Sequence, residues 1–238
     1  MKKTVQLTIV VCSIFLLASV AVFGADQSSK AVNSDTSNAG KITPAVVAIN
    51  NFMLAYQLAE YGKKNNYPLA LLTAAHILKA TPTKDEKQEK VVEGIPAGDQ
   101  NQETGKVDTP DEMLAMAKTL VEGKDMAMVA MIDNEMKTGG TKGSTSGPIA
   151  HKDRVRGGMT DTYTIKFRGD EKAMIGIIGD DRADLDLFVY DQGGHLIRSD
   201  ESSSSDCAFD WTPAWTGTYT VKVKNSGTRS SEYLLLTN

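Results

Sequence analysis

The sequence has 238 residues, 41% of them apolar and 24% charged, which fits a soluble globular protein of one or two ordinary domains. Its formal net charge is −4, with no basic stripe or Arg/aromatic cluster, so nucleic acid is excluded as an expected partner. Two cysteines occur, Cys12 and Cys207, and the first falls in a leader, so the mature chain is not an intramolecular disulfide scaffold.

Residues 1–24 open with Met-Lys-Lys, continue through a mostly apolar run from Ile9 to Phe23, and end on small residues. A positive start, a short apolar stretch and small residues at the end make a secretory signal peptide, cleaved after Ala21 or Gly24. The apolar run is short for the roughly 20 residues of a spanning helix, so no stable membrane span is expected once the leader is removed. Removal of Lys2 and Lys3 with it takes the net charge from −4 to −6. The expected location is the bacterial periplasm or the medium.

Residues 25–43 are small and polar and read as a flexible leader. Beyond Thr43-Pro44 the pattern turns helical: Val47, Leu54, Leu58 and Tyr61 share a face, with Phe52 adjoining, and residues 62–66 form a turn. Pro68 suits the first position of a second helix, which carries Leu69, Leu72, His76 and Leu78 and stops before Pro82. Residues 83–108, charged and rich in Gly, Gln and Lys, read as a mobile loop. Thr109-Pro110-Asp111-Glu112 is a capping box opening a third helix with Met113, Leu114, Ala117, Leu120 and Val121. Asp125 caps a fourth, and its methionines read as core filler. The helical region thus spans 44–138, and residues 139–150 are a Gly/Ser linker.

From residue 151 the period switches to two. Seven apolar runs follow, marked by Ile165, Ile175, Leu187, Ile197, Phe209, Val221 and Leu235, with Gly, Asp and Ser turns between them. The spacing predicts an antiparallel β-sandwich of jelly-roll or Ig-like type. The fold class is therefore α+β and multidomain, a small N-terminal helical bundle followed by the sandwich. Trp211 and Cys207 fall on inward positions, where a buried, inert thiol is expected.

Asp184-Leu-Asp-Leu-Phe-Val-Tyr-Asp191, a Gly-Gly turn, a Ser/Asp loop and Trp211-Thr-Pro-Ala-Trp-Thr-Gly-Thr-Tyr219-Thr-Val-Lys-Val223 together resemble the bacterial pre-peptidase C-terminal domain, over residues 151–238. The resemblance implies a β-sandwich appended to secreted bacterial proteins, often proteases, serving in secretion or substrate attachment; related domains of collagenases bind calcium and matrix. The protease that usually precedes it is missing, since residues 25–150 hold no His-Glu-x-x-His and no triad segments. Fold and compartment carry over, not proteolysis.

No catalytic residue is expected. His76, His151 and His195 lack metal-ligand spacing, and Gly143-Ser-Thr-Ser-Gly147 places Thr145, not serine, at the centre of a would-be nucleophile elbow. Acidic residues crowd around 180–206. Asp181, Asp184 and Asp186 are the candidate ligands of a weakly bound calcium ion, the only cofactor considered, although such residues also serve as turn formers and a solvated face. Trp215 is a candidate for stacking on a sugar or peptide. The sequence is thus read as an exported, non-enzymatic protein whose sandwich binds an unidentified protein or extracellular polymer. The alternative is a propeptide-like inhibitor or chaperone of a secreted hydrolase.

Overall fold

The computed structural model describes residues 31–84, 86–98, 105–140 and 147–238. The signal-peptide expectation falls outside them, as does half of the Gly/Ser linker, residues 141–146.

Among the described residues four helices precede the main run of strands: α1 (Pro44–Asn65), α2 (Pro68–Ala80), α3 (Pro110–Val121) and α4 (Met126–Lys137). Thr43 caps α1 by accepting from the Val46 amide, and the chain leaves that helix through Asn66 in the left-handed region at φ 50°. The turn expected at residues 62–66 therefore begins later. Gly62 stays helical because α1 meets α2 there: a Cβ on Gly62 would lie 2.8 Å from Leu71 Cγ. The capping box of α3 forms as expected, with Thr109 and Glu112 each accepting from the other's backbone N–H.

The buried face of α1 also differs from the expected one. Val46, Ile49, Phe52, Ala55 and Ala59 point inward, whereas Val47, Leu54 and Tyr61 are exposed. On α4 only Ile132 is fully buried; Met126, Met131 and Met136 face solvent, so these methionines do not fill a core.

Nine strands among the described residues make two antiparallel sheets: β1 (Lys90–Gly94), β2 (Ile149–Val155), β3 (Met159–Phe167), β4 (Ala173–Gly179), β5 (Leu185–Asp191), β6 (Leu196–Asp200), β7 (Cys207–Trp211), β8 (Gly217–Asn225) and β9 (Ser231–Thr237). The five-stranded sheet has the order β1-β3-β8-β5-β6 and the four-stranded sheet β2-β9-β4-β7. The expected sandwich is present, built from seven anticipated strands and two more. One of these, β1, arises inside the segment read as a loop and pairs with β3 from Lys90↔Tyr163 to Gly94↔Met159.

Residues from the inner faces of both sheets form one core, including Tyr163, Ile165, Leu187, Val221, Tyr233 and Leu235. Phe167 and Tyr219 pack edge-on with a centroid separation of 5.6 Å, and Phe167 meets the buried Trp211 at 4.8 Å. Cys207 lies in this core with its Sγ–H directed at the Leu185 carbonyl, and burial pushes its pKa up, so the thiol is inert as expected.

A second core joins the helices to the outer face of the four-stranded sheet. Met174, Ile178, Leu234 and Leu236 pack there with Ile49, Phe52 and Leu71. Strands β4 and β9 are consequently covered on both sides, which is why Ala173–Ile178 and Leu234–Leu236 are runs rather than alternations. The layers are helix, sheet, sheet, and residues 31–238 form a single compact unit.

The segment of residues 31–43, expected to be flexible leader, is held against the sandwich. The Asp35 amide donates to the Thr212 carbonyl, and Lys41 pairs with the Asp170–Lys172 segment. Polar bonds rather than apolar burial hold it, so composition gave no sign of it.

Candidate functional site

An open cleft of about 800 Å³ lies where the last turns of α1 meet two loops of the sandwich. Glu60, Lys63 and Lys64 come from α1; Asp181 and Asp184 come from the β4–β5 turn, and Ser203 to Asp206 from the β6–β7 loop. It adjoins a pocket of about 80 Å³ lined in part by Tyr56, Asp108 and Asp180.

The turn is built to present Asp181. Asp180 is almost fully buried and accepts from Ser231 Oγ at 2.7 Å, the Glu232 amide at 3.0 Å and the Arg182 amide at 3.2 Å. Those bonds tie the turn to β9 and leave Asp181 in the left-handed region at φ 60°, which short polar side chains tolerate. Asp181 then accepts from Ser205 Oγ at 3.0 Å and stands 3.8 Å from Lys63 Nζ. Lys63 makes its closer contact with Asp108, at 2.9 Å. Burial opposes the charge on Lys63, but the Asp108 bond and the nearby carboxylates outweigh it and raise its pKa.

Asp206 is the most perturbed carboxyl of the cleft. Burial pushes its pKa up to about 6, with Asp181 and Glu60 adding to the rise and the Gly179 amide bond opposing it. This group exchanges a proton near neutrality while Lys63 beside it keeps its charge. The cleft thus offers a fixed cation, a titrating carboxyl and serine hydroxyls, a set suited to holding a polar or zwitterionic group.

The candidate calcium ligands are separated. Asp181 and Asp184 line the cleft, but Asp184 precedes β5 and is exposed. Asp186, on the outer face of the five-stranded sheet, accepts from Lys224 Nζ at 3.2 Å and Ser226 Oγ at 2.6 Å. Asp184 belongs to the turn and Asp186 to β5, where a lysine supplies the cation for Asp186. Among the described residues, no group of three or more His, Cys, Asp or Glu side chains stands in an arrangement able to hold a metal ion.

Trp215 is partly exposed, 38%, in the β7–β8 connection. Its backbone N–H and C=O both engage Asn33, a residue that the composition of its segment had assigned to flexible chain. Sequence reasoning also missed Glu60, Lys63 and Asp206 as partners, since nothing in their spacing marks a helix end and a distant loop as neighbours.

No protein-family model matches the chain. No curated protein matches it either. Among solved structures, the pre-peptidase C-terminal domain of collagenase from Bacillus anthracis is similar, at 15% identity and a TM-score of 0.32, over 38% of this chain and 89% of that one. Among the described residues, no helix is long and apolar enough to cross a membrane.

Proposed function

We propose that this chain is an exported, non-enzymatic binding protein, and that the cleft between α1 and the sandwich loops receives its ligand. The observation that carries the reading is the assembly of the cleft from three chain segments whose charges are set against one another. Lys63 lies between Asp108 and Asp181, and Asp206 is held half-titrated near pH 6. Polar groups placed this way orient a ligand, and the rigid elements behind them keep their geometry. Export rests on the leader sequence and on the resemblance of residues 151–238 to a module of secreted bacterial proteins. The partner is a protein or an extracellular polymer.

Two measurements test this. Cell fractionation with N-terminal sequencing is expected to find the chain in the periplasm or medium, beginning after Ala21 or Gly24; a cytoplasmic protein retaining Met1 overturns export. A photo-crosslinking residue replacing Ser204 is expected to capture a component of that compartment that one replacing the exposed Met126 does not. Capture is expected to differ between pH 5 and pH 7, as Asp206 loses its proton, and Asp206→Asn is expected to flatten the difference. Equal capture at both positions sinks the cleft as the site.

A further inference from the structure

At the other end of β5 from the cleft, one residue of the N-terminal segment is read completely. Asn33 has no exposed surface, while Ala31, Val32 and residues 36–39 around it are exposed. Its backbone N–H donates to Asp191 Oδ2 at 2.9 Å, and its carbonyl accepts from the Tyr219 hydroxyl at 2.6 Å. Its side-chain amide pairs with the Trp215 backbone in both directions: Nδ2 donates to the carbonyl at 3.0 Å, and Oδ1 accepts from the N–H at 3.0 Å. A Cβ added to Gly217 would lie 2.8 Å from Asn33 Nδ2, so the glycine makes room for the amide.

The receptor side is fixed independently of this residue. Asp191 is buried at the end of β5 and accepts from the Gly193 amide at 2.8 Å and from the His195 amide at 2.9 Å; His195 Nδ1 stands 3.0 Å from its other oxygen. Burial would raise its pKa, but in the filled slot the backbone bonds from Asn33 and His195 outweigh burial and hold it lowered. Tyr219 is fixed in the sandwich core against Phe167 and Trp211. The geometry selects asparagine. Aspartate would bring an acceptor against the Trp215 carbonyl, and alanine would leave both Trp215 groups without their present partner. An anchor needed only for packing has no use for an amide bonded at both ends.

We infer that the slot formed by Asp191, Trp215 and Tyr219 is a recognition site for an extended, asparagine-bearing peptide segment, filled in this chain by its own Asn33. Besides this residue the segment is held by polar bonds, from the Asp35 amide to the Thr212 carbonyl and at Lys41, with little apolar burial, and elements held in this way open locally before the core does. Its release opens the site to the same sequence in trans. Tethering gives the resident segment a high effective concentration, so a free peptide competes only when the tethered copy is weakened or the peptide is in large excess.

The test uses the full-length chain carrying Asn33→Ala and a synthetic peptide of residues 31–37, AVNSDTS. Titration is expected to shift the Trp215 and Tyr219 amide resonances saturably, with at least about tenfold weaker binding of the same peptide carrying Asn33→Asp. A folded variant that shows no saturable shift, or binds both peptides equally, overturns the proposal. Should the variant not fold, the wild-type chain is used with excess peptide. Faster deuterium exchange at the Asn33 amide supports the site, and exchange unchanged by peptide overturns it.

Discussion

Lys90 reaches from β1 into the edge of the sandwich and sets its ammonium 2.7 Å from both Asp153 and Asp161. Asp161 is buried and also accepts from the Tyr233 hydroxyl at 2.7 Å, while the Tyr163 hydroxyl joins Tyr233 and donates to Asp153 at 3.1 Å. Burial raises the pKa of Asp161 against the opposing pull of Lys90 and Tyr233. A buried carboxylate stripped of its cation is a strongly destabilising lesion. Lys90→Met is therefore expected to lower stability at pH 7 by about 3–5 kcal/mol, read by urea denaturation. The sign of its pH dependence follows from linkage. A carboxyl whose folded pKa lies above its unfolded value binds more protons when folded, so its contribution is lost as pH rises between the two. Without Lys90 that window widens upward, and the deficit is expected to shrink as pH falls. A deficit that stays constant from pH 7 to pH 5 removes Asp161 as its cause.

At the scale of elements, the chain reports helix starts better than helix faces. Thr109, Pro110 and Glu112 are neighbours in sequence, and their capping interactions are complete within four residues, so α3 was legible directly. For α1 the apolar spacing of Val47, Leu54 and Tyr61 was misleading. The face that packs runs through Val46, Ile49, Phe52, Ala55, Ala59 and Gly62, and the small residues of its second half let the helix approach α2 closely. Gly62 is the sharpest case. Alanine is the better helix former by about 1 kcal/mol, yet its methyl would sit 2.8 Å from Leu71 Cγ and 3.1 Å from the Leu71 nitrogen. Overpacking costs about 1–3 kcal/mol and outweighs the propensity gain. Gly62→Ala is expected to lower the melting temperature by a few degrees, about 2–4 °C per kcal/mol of net loss, in a calorimetric scan. An increase would show that α1 and α2 are free to separate.

At the scale of the whole molecule, the helices and the sandwich share an apolar core through Met174, Ile178, Leu234 and Leu236. Four short helices bury too little among themselves to stand alone, and the outer face of the four-stranded sheet supplies the missing surface. Unfolding is accordingly expected to be a single transition in denaturant. Far-UV circular dichroism, dominated by the helices, and fluorescence of Trp211 and Trp215 in the sandwich should trace the same midpoint. Two separated midpoints would mean that the shared core contributes little.

The sequence alone determined the features whose physics is local. These are the caps of α3 and α4, the period-two runs from Tyr163 onward, the inward Trp211 and the buried Cys207. Only the tertiary structure decided the rest. Strand β1 lies in a polar segment that alternation cannot reveal; it is ordered by its ladder to β3 and by Lys90 finding Asp153 and Asp161, 63 and 71 residues away. Strand β2, with Lys152, Asp153 and Arg154 in succession, was invisible for the same reason until β9 supplied its partner. The acidic residues around 180–206 were seen, but their grouping was not. Asp186 went to Lys224, while Asp181 and Asp206 met Lys63 in the cleft. Charge and hydrogen-bond partners are chosen in three dimensions, and a one-dimensional pattern records them only when both partners lie on the same turn.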